Sequence, residues 1–296
     1  TPKETLPAEW TGHRTNPNSL LLTRCRFGES ARVRSVAEAR RFLFKEIRRH
    51  GGPIRFTAHF PFHVSPIIPW TETCRVALEL CEKAELRFND QPIDLTDAEA
   101  VDGLEMVAIE IPELRLGENE LTLRGVVSNA WDFEAPRITG DFHLSTADNM
   151  AFIIEFSSQT ITPGAWCERG MPFYAGGVRY HADIHDRALA SDERVVLEMP
   201  GLVGAAIVRV NGVETGHIFA PPYRSNLTRA WKADHNQIEI EVLNTLRNQF
   251  GPHYVSQPDH RTWYAREHYE GKAGEPLQFA REGLLEAPVV RIETTG

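Results

Sequence analysis

Alternating apolar and polar residues run through most of the chain and predict short β-strands. In the segment 54–62, Phe56, Ala58, Phe60 and Phe62 fall on one side, as a strand with one buried face requires. The same kind of pattern predicts further strands at 76–80, 84–88, 107–111, 120–124, 177–184, 194–199, 206–210, 237–242 and 289–293. Gly, Pro and Asn turns separate these segments, and no strand–helix–strand alternation is visible. The pattern therefore predicts an all-β protein made of antiparallel β-sandwiches.

One segment departs from this pattern and predicts a single short helix, from Ser35 to Gly51. Ser35 can cap its start, and Glu38 completes a capping box. The apolar stripe at helical spacing consists of Val36, Ala39, Phe42, Leu43 and Ile47. A run of arginines occupies the other side, where a solvated face is the simplest interpretation.

Two similar blocks indicate two copies of one sandwich fold. Each block contains a strand, a tight turn led by Asn, a gap, and a second alternating strand. Asn89 leads the turn in the first block, and Asn211-Gly212 forms it in the second. Asn-Gly favours a type I′ hairpin, because both residues tolerate positive φ. We predict domains at 1–147 and 148–296, with the boundary in the polar stretch around Asp148.

Composition limits the classes of function. The 296 residues are 42% hydrophobic and 25% charged, which allows sizeable cores. The net charge of −9 argues against a general affinity for nucleic acid, and no apolar run approaches the ~20 residues that cross a membrane. The four cysteines form no CxxC pair, so thiols are favoured over a zinc site, and disulfides stay open.

The second half contains segments that resemble a known family. Residues 166–176 (WCERGMPFYAG), 208–216 (VRVNGVETG), 221–224 (PPYR), 238–252 (IEIEVLNTLRNQFGP) and 283–292 occur in the family's order. They resemble the galactose-binding-like, sugar-binding β-sandwich of bacterial α-L-rhamnosidase-like and family 2-like glycoside hydrolases. Residues 20–27, 87–93, 116–123 and 138–142 are similar, more weakly, to the sandwich that precedes it.

This resemblance implies a non-catalytic accessory region of a glycoside hydrolase. In those enzymes the catalytic domain lies N-terminal to the sandwich pair, so the partner expected here is an upstream catalytic domain. The start at Thr1, with neither Met nor a signal-peptide core, agrees with a lost upstream region. The expected ligand is a glycan or oligosaccharide. The location stays open: the bacterial periplasm or secretion is one possibility, and the cytoplasm is another.

Candidate sugar-binding residues combine aromatic rings with planar polar groups. The sequence offers Tyr223, Arg224, Asn244, Arg247, Asn248, His253, Tyr254, Trp263 and Tyr264. Loops at the ends of sandwiches commonly bind ligands. The alternative is structural: Arg224 and Asn244 satisfy backbone carbonyls, and Tyr223 plugs the end of the sandwich.

No residue is assigned as catalytic. Asp183, Asp186, Glu239 and Glu241 are the available carboxylates, but none is set in an apolar environment beside another, as a glycosidase pair requires. On a strand, His181, Asp183 and His185 would share a face and could ligate a metal, although a solvent-facing polar face explains them as well. A structural calcium ion is a further possibility without an EF-hand-like loop.

Three other functions stay open at this stage. The chain could be a stand-alone carbohydrate-binding protein with an exposed aromatic platform, or a structural interaction module without sugar binding. It could also be a self-sufficient sandwich hydrolase or lyase that uses histidine and tyrosine as acid and base.

Overall fold

The computed structural model describes residues 2–65, 73–101, 105–130, 133–156, 160–185, 187–251 and 274–294. The contacts within the chain group it into two compact units. Unit 1 comprises 1–16, 158–246 and 280–296, and unit 2 comprises 17–157 and 247–279. The sequence-based division after residue 147 stays a prediction, and the two units are described separately below.

Unit 1 is built from strands at both ends of the chain and in its second half. In chain order they are β1 (Pro2–Leu6), β2 (Thr11–Arg14), β16 (Gly164–Ala165), β17 (Gly177–His185), β18 (Glu193–Glu198), β19 (Leu202–Val203), β20 (Ala205–Val210), β21 (Val213–Ile218), β22 (Arg224–Asn226), β23 (His235–Leu243), β24 (Gly283–Leu284) and β25 (Val289–Thr294).

Three antiparallel sheets organise these strands. Their orders are β1-β25-β18-β22, β2-β17-β23-β20-β21 and β16-β24-β19. Strict alternation explains the core: in β23, Ile238, Ile240 and Val242 are fully buried, whereas the residues between them lie on the outer face. Val195 of β18 and Ile292 of β25 belong to the same buried cluster, so the first two sheets share one core.

Two buried aromatic side chains of this core, Trp166 and Tyr180, are joined by a hydrogen bond. Trp166 begins a short 3-10 turn after β16, and its indole Nε1 donates to the hydroxyl of Tyr180 on β17 at 2.9 Å. Gly283 of β24 lies against the indole with φ +106°, and a Cβ there would stand 2.4 Å from Nε1. The ring can pack this closely because residue 283 has no side chain.

Unit 2 contains the remaining strands and both helices of the described residues. The strands are β3 (Asn18–Leu21), β4 (Arg24–Phe27), β5 (Arg34–Ser35), β6 (Ile54–Val64), β7 (Arg75–Leu78), β8 (Glu82–Phe88), β9 (Gln91–Ile93), β10 (Glu99–Ala100), β11 (Val107–Glu110), β12 (Gly117–Val127), β13 (Arg137–Gly140), β14 (His143–Ser145) and β15 (Ile153–Glu155). The helices are α1 (Val36–His50) and the single turn α2 (Arg247–Phe250).

Two sheets run through unit 2, in the orders β10-β11-β7-β13-β3 and β14-β15-β6-β12-β8-β9, with β4 joining β5 to β6. The long pair β6–β12 keeps one register from Ile54↔Val127 to Val64↔Gly117. Their alternating Phe60 and Leu121 are fully buried. One pairing, β15 with β6, is parallel, so the expectation of purely antiparallel sheets is wrong at that position.

Helix α1 confirms the predicted capping box. The Ser35 hydroxyl accepts from the backbone N–H of Glu38, and the Glu38 carboxylate accepts from the Ser35 N–H. Gly51 ends the helix in the left-handed conformation. Ala39 and Leu43 of the predicted apolar stripe are buried, and the Phe42 ring lies 5.2 Å from that of Phe27.

The described chain is thus mostly β-strand, as predicted. Every segment predicted as a strand overlaps an observed one, with ends that differ by a few residues. All four cysteines remain thiols. None of the helices in the described ranges has the length and apolar character needed to cross a membrane.

Candidate functional site

The tight hairpin between β20 and β21 is the first element of the candidate site. Asn211 and Gly212 both have positive φ, at 50° and 78°, and Val210 pairs directly with Val213. This confirms the two-residue turn that Asn-Gly predicts. β21 lies at the edge of its sheet. Its solvent-facing side chains are therefore available to a ligand.

The Asn211 side chain fixes the hairpin against a neighbouring turn. Its Nδ2 donates to the carbonyl oxygen of Ala230 at 2.8 Å and to Oδ1 of Asn236 at 3.0 Å. Its Oδ1 accepts from the backbone N–H of Gln237 at 3.1 Å. Ala230 ends the 3-10 turn Thr228–Ala230 that follows β22. One asparagine thus holds together the two segments that border the site.

These two segments enclose an open cleft of about 730 Å³ in unit 1. We call it the β21–β22 cleft, and its lining residues are Glu214, Thr215, Gly216, His217, Asn226, Thr228 and Arg229. β21 and β22 are edge strands of the two large sheets of this unit. They approach closely at Gly216, where a Cβ would stand 2.9 Å from the Ser225 hydroxyl oxygen.

Planar polar groups line the cleft and remain open to solvent. Nε2 of His217 lies 2.8 Å from Oε1 of Glu214, and these side chains are 61% and 49% exposed. The Asn226 Oδ1 accepts from the Thr228 N–H at 3.0 Å, while its Nδ2 makes no hydrogen bond to the described residues. The exposed Arg229 forms no ion pair within the described chain. Such groups can donate to and accept from sugar hydroxyls.

An exposed aromatic ring follows directly after the edge strand. Phe219 comes after Ile218, the last residue of β21, and it is 78% exposed, more than any other large apolar residue in the described ranges. Aromatic faces stack on the apolar faces of sugar rings. An exposed aromatic ring thus follows β21 directly, although Phe219 is not among the described residues that line the cleft.

The predicted residues Tyr223 and Arg224 lie close by in sequence, but they are used differently. Tyr223 is half-buried and packs against the core of unit 1. The Arg224 guanidinium pairs with Glu198 at 3.2 Å and also with Glu293. These ion pairs connect β22 to β18 and β25. Binding of sugar by the two residues stays a prediction, beside the structural role that the geometry gives them.

Asn244 makes two side-chain hydrogen bonds to the backbone of residues 174 and 176. Its Nδ2 donates to the carbonyl oxygen of Tyr174 at 2.8 Å, and its Oδ1 accepts from the N–H of Gly176 at 3.0 Å. Gly176 has φ +157°. These two hydrogen bonds hold the PFYAG segment, which carries the family resemblance, against the residue that follows β23. This agrees with the alternative that Asn244 satisfies backbone groups.

The other predicted sugar-binding residues lie elsewhere. Arg247 and Asn248 belong to α2 in unit 2, where Arg247 is half-buried and Asn248 is buried. His253, Tyr254, Trp263 and Tyr264 lie outside the described residues. Of the nine candidates, three therefore belong to unit 1, and their described contacts do not place them in the cleft lining.

The predicted carboxylates and histidines lie on the outer face of the sheet that contains β17 and β23. His181, Asp183 and His185 do share that face, as β17 alternation requires. Nε2 of His235 lies 2.8 Å from Oδ1 of Asp183, and the His235 ring stacks on His185 at 4.8 Å. Among the described residues, no group of three or more His, Cys, Asp or Glu side chains is arranged to hold a metal ion.

The carboxylates of β23 are neutralised by arginine. Arg209 of β20 donates to Glu239 at 2.8 Å and to Glu241 at 3.2 Å, and its pKa is raised by these two hydrogen bonds. Both glutamates lie opposite the buried Ile240, as predicted. Asp186 lies outside the described residues. The outer face is thus a network of ion pairs.

Comparisons with known proteins return glycoside hydrolases among solved structures. No family model matches this chain, and no curated protein matches it either. A rhamnosidase from Novosphingobium sp. PP1Y superposes with a TM-score of 0.35 and 16% identity, over 91% of this chain and 25% of the enzyme. The Streptomyces avermitilis α-L-rhamnosidase complexed with L-rhamnose gives a TM-score of 0.32 and 12% identity, over 96% and 27%.

A third similarity is with the Bifidobacterium dentium β-glucuronidase complexed with coumarin-3-O-glucuronide. Its TM-score is 0.33 and its identity 16%, over 46% of this chain and 25% of that one. This chain therefore spans about a quarter of the length of each of these glycoside hydrolases.

Proposed function

We propose that this chain is a non-catalytic, carbohydrate-binding accessory region of a glycoside hydrolase, made of two β-sandwiches. The second sandwich, of the galactose-binding-like kind, binds a glycan in the β21–β22 cleft. The observation that carries this proposal is the set of solvent-open planar groups on two edge strands and the turn after β22, close in sequence to exposed Phe219. These groups belong to Glu214, His217, Asn226 and Arg229.

The charge of the cleft supports a neutral ligand. Of the described residues that line it, Glu214 and Arg229 carry charges of opposite sign, and the His217 ring lies beside Glu214. Neutral sugar hydroxyls need both donors and acceptors, which carboxylate, amide and guanidinium groups supply together. The open shape favours binding part of a longer chain over enclosing a small molecule.

The same geometry supports a binding role over hydrolysis at this cleft. Glycosidases of the two-carboxylate type place two carboxyl groups around the scissile bond. Among the described residues that line the cleft, Glu214 supplies the single carboxylate. The catalytic step therefore belongs to the proposed upstream domain, which this accessory region would supply with bound glycan.

A structural interaction module without sugar binding is the second candidate. Two residues of the family motifs make structural contacts that favour it. Asn244 holds the PFYAG segment by two hydrogen bonds, and Arg224 connects β22 to β18 and β25 by ion pairs. This candidate and the first differ in one observable, since only the first requires saturable binding of glycan at the cleft.

Titration calorimetry with rhamnose- and galactose-containing oligosaccharides tests the proposal. We expect Arg229→Ala to weaken binding by roughly tenfold or more, because a hydrogen bond to a charged donor is worth about 1.5–3 kcal/mol. Arg281→Ala is the matched control, since Arg281 is an exposed arginine of the same unit that pairs with exposed Glu168 outside the cleft. Equal affinity of both variants would place any binding elsewhere, and the absence of binding would favour the structural module.

A further inference from the structure

Unit 2 contains a second, smaller cavity, which none of the functions above uses. It has a volume of about 100 Å³. One water molecule requires ~10–15 Å³ on this kind of measure, so the cavity has room for a group of several heavy atoms. Its walls include the start of α1, at Val36 and Ala37, together with Arg40, Glu134, Arg137 and Phe250.

A buried guanidinium is the main chemical feature of this cavity. Arg137, the first residue of β13, is only 6% exposed. Its Nη1 donates to Sδ of Met106 at 3.3 Å, and the Phe250 ring covers it with the centroid 4.1 Å from Cζ. Its Nε is buried without a hydrogen-bond partner, and its Nη2 makes no hydrogen bond to the described residues.

Two nitrogens of the Arg137 guanidinium, Nε and Nη2, make no hydrogen bond to the described residues. Nε–H and Nη2–H lie on one side of a guanidinium and point in parallel, which matches the two oxygens of a carboxylate. Burial lowers the pKa of Arg137 to about 10, against the opposing effect of Glu134 and Glu79, so the cation lacks compensation for its lost hydration. A buried charge is stabilised when an opposite charge binds it directly.

The remaining charged groups leave the cavity wall net positive. Arg40 donates from Nε to the carbonyl oxygen of Phe133 at 2.9 Å and pairs through Nη2 with Glu134. The Glu134 carboxylate is therefore already paired with Arg40, and burial raises the pKa of Glu134. Glu38, in the first turn of α1, forms the capping box with Ser35, and its carboxylate accepts from the Ser35 N–H. Among the described residues of the wall, two guanidinium groups thus accompany one carboxylate, while Glu79 acts on Arg137 from outside the wall.

The N-terminus of α1 adds to this positive potential. Val36 and Ala37 are its first two residues, and a helix of 15 residues carries partial positive charge at this end. We propose that this cavity is a binding site for the carboxylate group of a small ligand, with the guanidinium of Arg137 as the charged donor. A uronic acid residue of an acidic glycan has this chemistry.

Titration of the whole chain with D-glucuronate, D-glucose and inorganic phosphate at constant ionic strength tests the proposal. We expect saturable binding of D-glucuronate and at least tenfold weaker binding of D-glucose, which has the same ring without the carboxylate. Phosphate is expected to bind more weakly than D-glucuronate, because at neutral pH it brings up to two negative charges into a cavity whose described wall carries a net charge of one positive. Equal binding of glucose, or stronger binding of phosphate, would overturn the assignment.

Three variants locate the site. Ala37→Leu fills the cavity without changing a charge and uses a residue that favours helix, so the protein is expected to fold and to lose D-glucuronate binding at least tenfold. Arg137→Met is expected to lose it as well. Arg48→Met, which removes an exposed arginine from the far end of α1, is the matched control and should bind within twofold of the unaltered protein.

The design remains decisive if Arg137→Met does not fold. Circular dichroism of Ala37→Leu shows whether that variant keeps its structure, and its affinity then decides alone. Unchanged D-glucuronate binding by folded Ala37→Leu would place the ligand outside the cavity and refute the proposal. Because the β21–β22 cleft lies in unit 1 and takes neutral sugar, its failure to bind would leave this result unaffected.

Discussion

The indole Nε1 of Trp166 donates a hydrogen bond of 2.9 Å to the hydroxyl oxygen of Tyr180, and both side chains are almost completely buried. Trp166 opens the WCERGMPFYAG segment, and Tyr180 lies on β17 at the centre of the core of unit 1. Burial raises the pKa of Tyr180 to about 12, so the hydroxyl stays protonated and acts as acceptor throughout the neutral range. Trp166, a residue of the family motif, is thus fixed in the core of unit 1 by its hydrogen bond to Tyr180.

Tyr180→Phe should destabilise the protein by ~1–3 kcal/mol, because it leaves the buried indole N–H without an acceptor. Urea unfolding followed by fluorescence measures this free energy. Tyr223→Phe is the matched control: the hydroxyl of the half-buried Tyr223 makes no hydrogen bond to the described residues, and the change should stay within about 0.5 kcal/mol. Equal effects of both substitutions would show that the Trp166–Tyr180 bond contributes nothing to stability.

Gly283→Ala should be among the most destabilising single-methyl additions in unit 1. The new Cβ would lie 2.4 Å from Nε1 of Trp166, and the backbone has φ +106°. Gly212→Ala adds the same methyl at φ +78° with nothing within 4 Å, so it isolates the backbone strain, about 1–2 kcal/mol. We expect the thermal midpoint of Gly283→Ala to fall well below that of Gly212→Ala. Similar midpoints would mean that the indole moves aside at no cost.

Asn244→Ala should destabilise unit 1 by about 1–3 kcal/mol, because the Tyr174 carbonyl and the Gly176 N–H both lose a partner. Glycan affinity of the folded variant should remain within about twofold, since Asn244 is outside the cleft lining. Denaturant unfolding and calorimetric titration measure the two quantities. A large loss of affinity with unchanged stability would instead assign Asn244 to the sugar site.

Glu193 should make unit 1 sensitive to acid. The backbone N–H of Ala190, followed by Lys3 and Arg187, lowers the pKa of its carboxyl to about 2. The unfolded chain binds this proton near the ordinary glutamate pKa of ~4.3, so the stabilisation is complete above that pH. It is lost as the pH falls towards 2.

Glu193→Gln should therefore flatten the decline of stability between about pH 5 and pH 2, and it should reduce stability at pH 7. Unfolding by urea at a series of pH values measures the slope. Glu286→Gln, at an exposed position of the same unit, should leave the slope unchanged. If the slopes of the two variants coincide, then Glu193 does not account for the acid sensitivity.

The local elements could be predicted from the sequence, but the long-range pairings could not. Alternation identified β6, β17 and β23, and the capping box identified the start of α1, because these signals lie within a few neighbouring residues. No local signal shows that β1 pairs with β25 or β2 with β17, across most of the chain length. Those pairings bring together segments that are far apart in sequence, which local patterns do not encode.

The sugar-binding role of the predicted residues stays a prediction, because their surroundings depend on long-range packing that the sequence does not show. Arg224 and Asn244 have the residue types of a sugar site, but their polar groups bind Glu293 and Tyr174, which are far away in sequence. Tyr223 packs against the core of unit 1. The signal that could have identified the cleft was present in the hairpin itself. Asn211-Gly212 predicts a hairpin, and the polar residues of β21 follow directly, before the exposed Phe219.

Calorimetric titration of the unaltered chain with rhamnose- and galactose-containing glycans, beside a hydrolysis assay on the matching aryl glycosides, tests the central claim most directly. We expect saturable binding that Arg229→Ala weakens at least tenfold, together with no release of the aryl group. Hydrolysis by this chain would contradict the account, and so would glycan binding that is indifferent to every cleft residue.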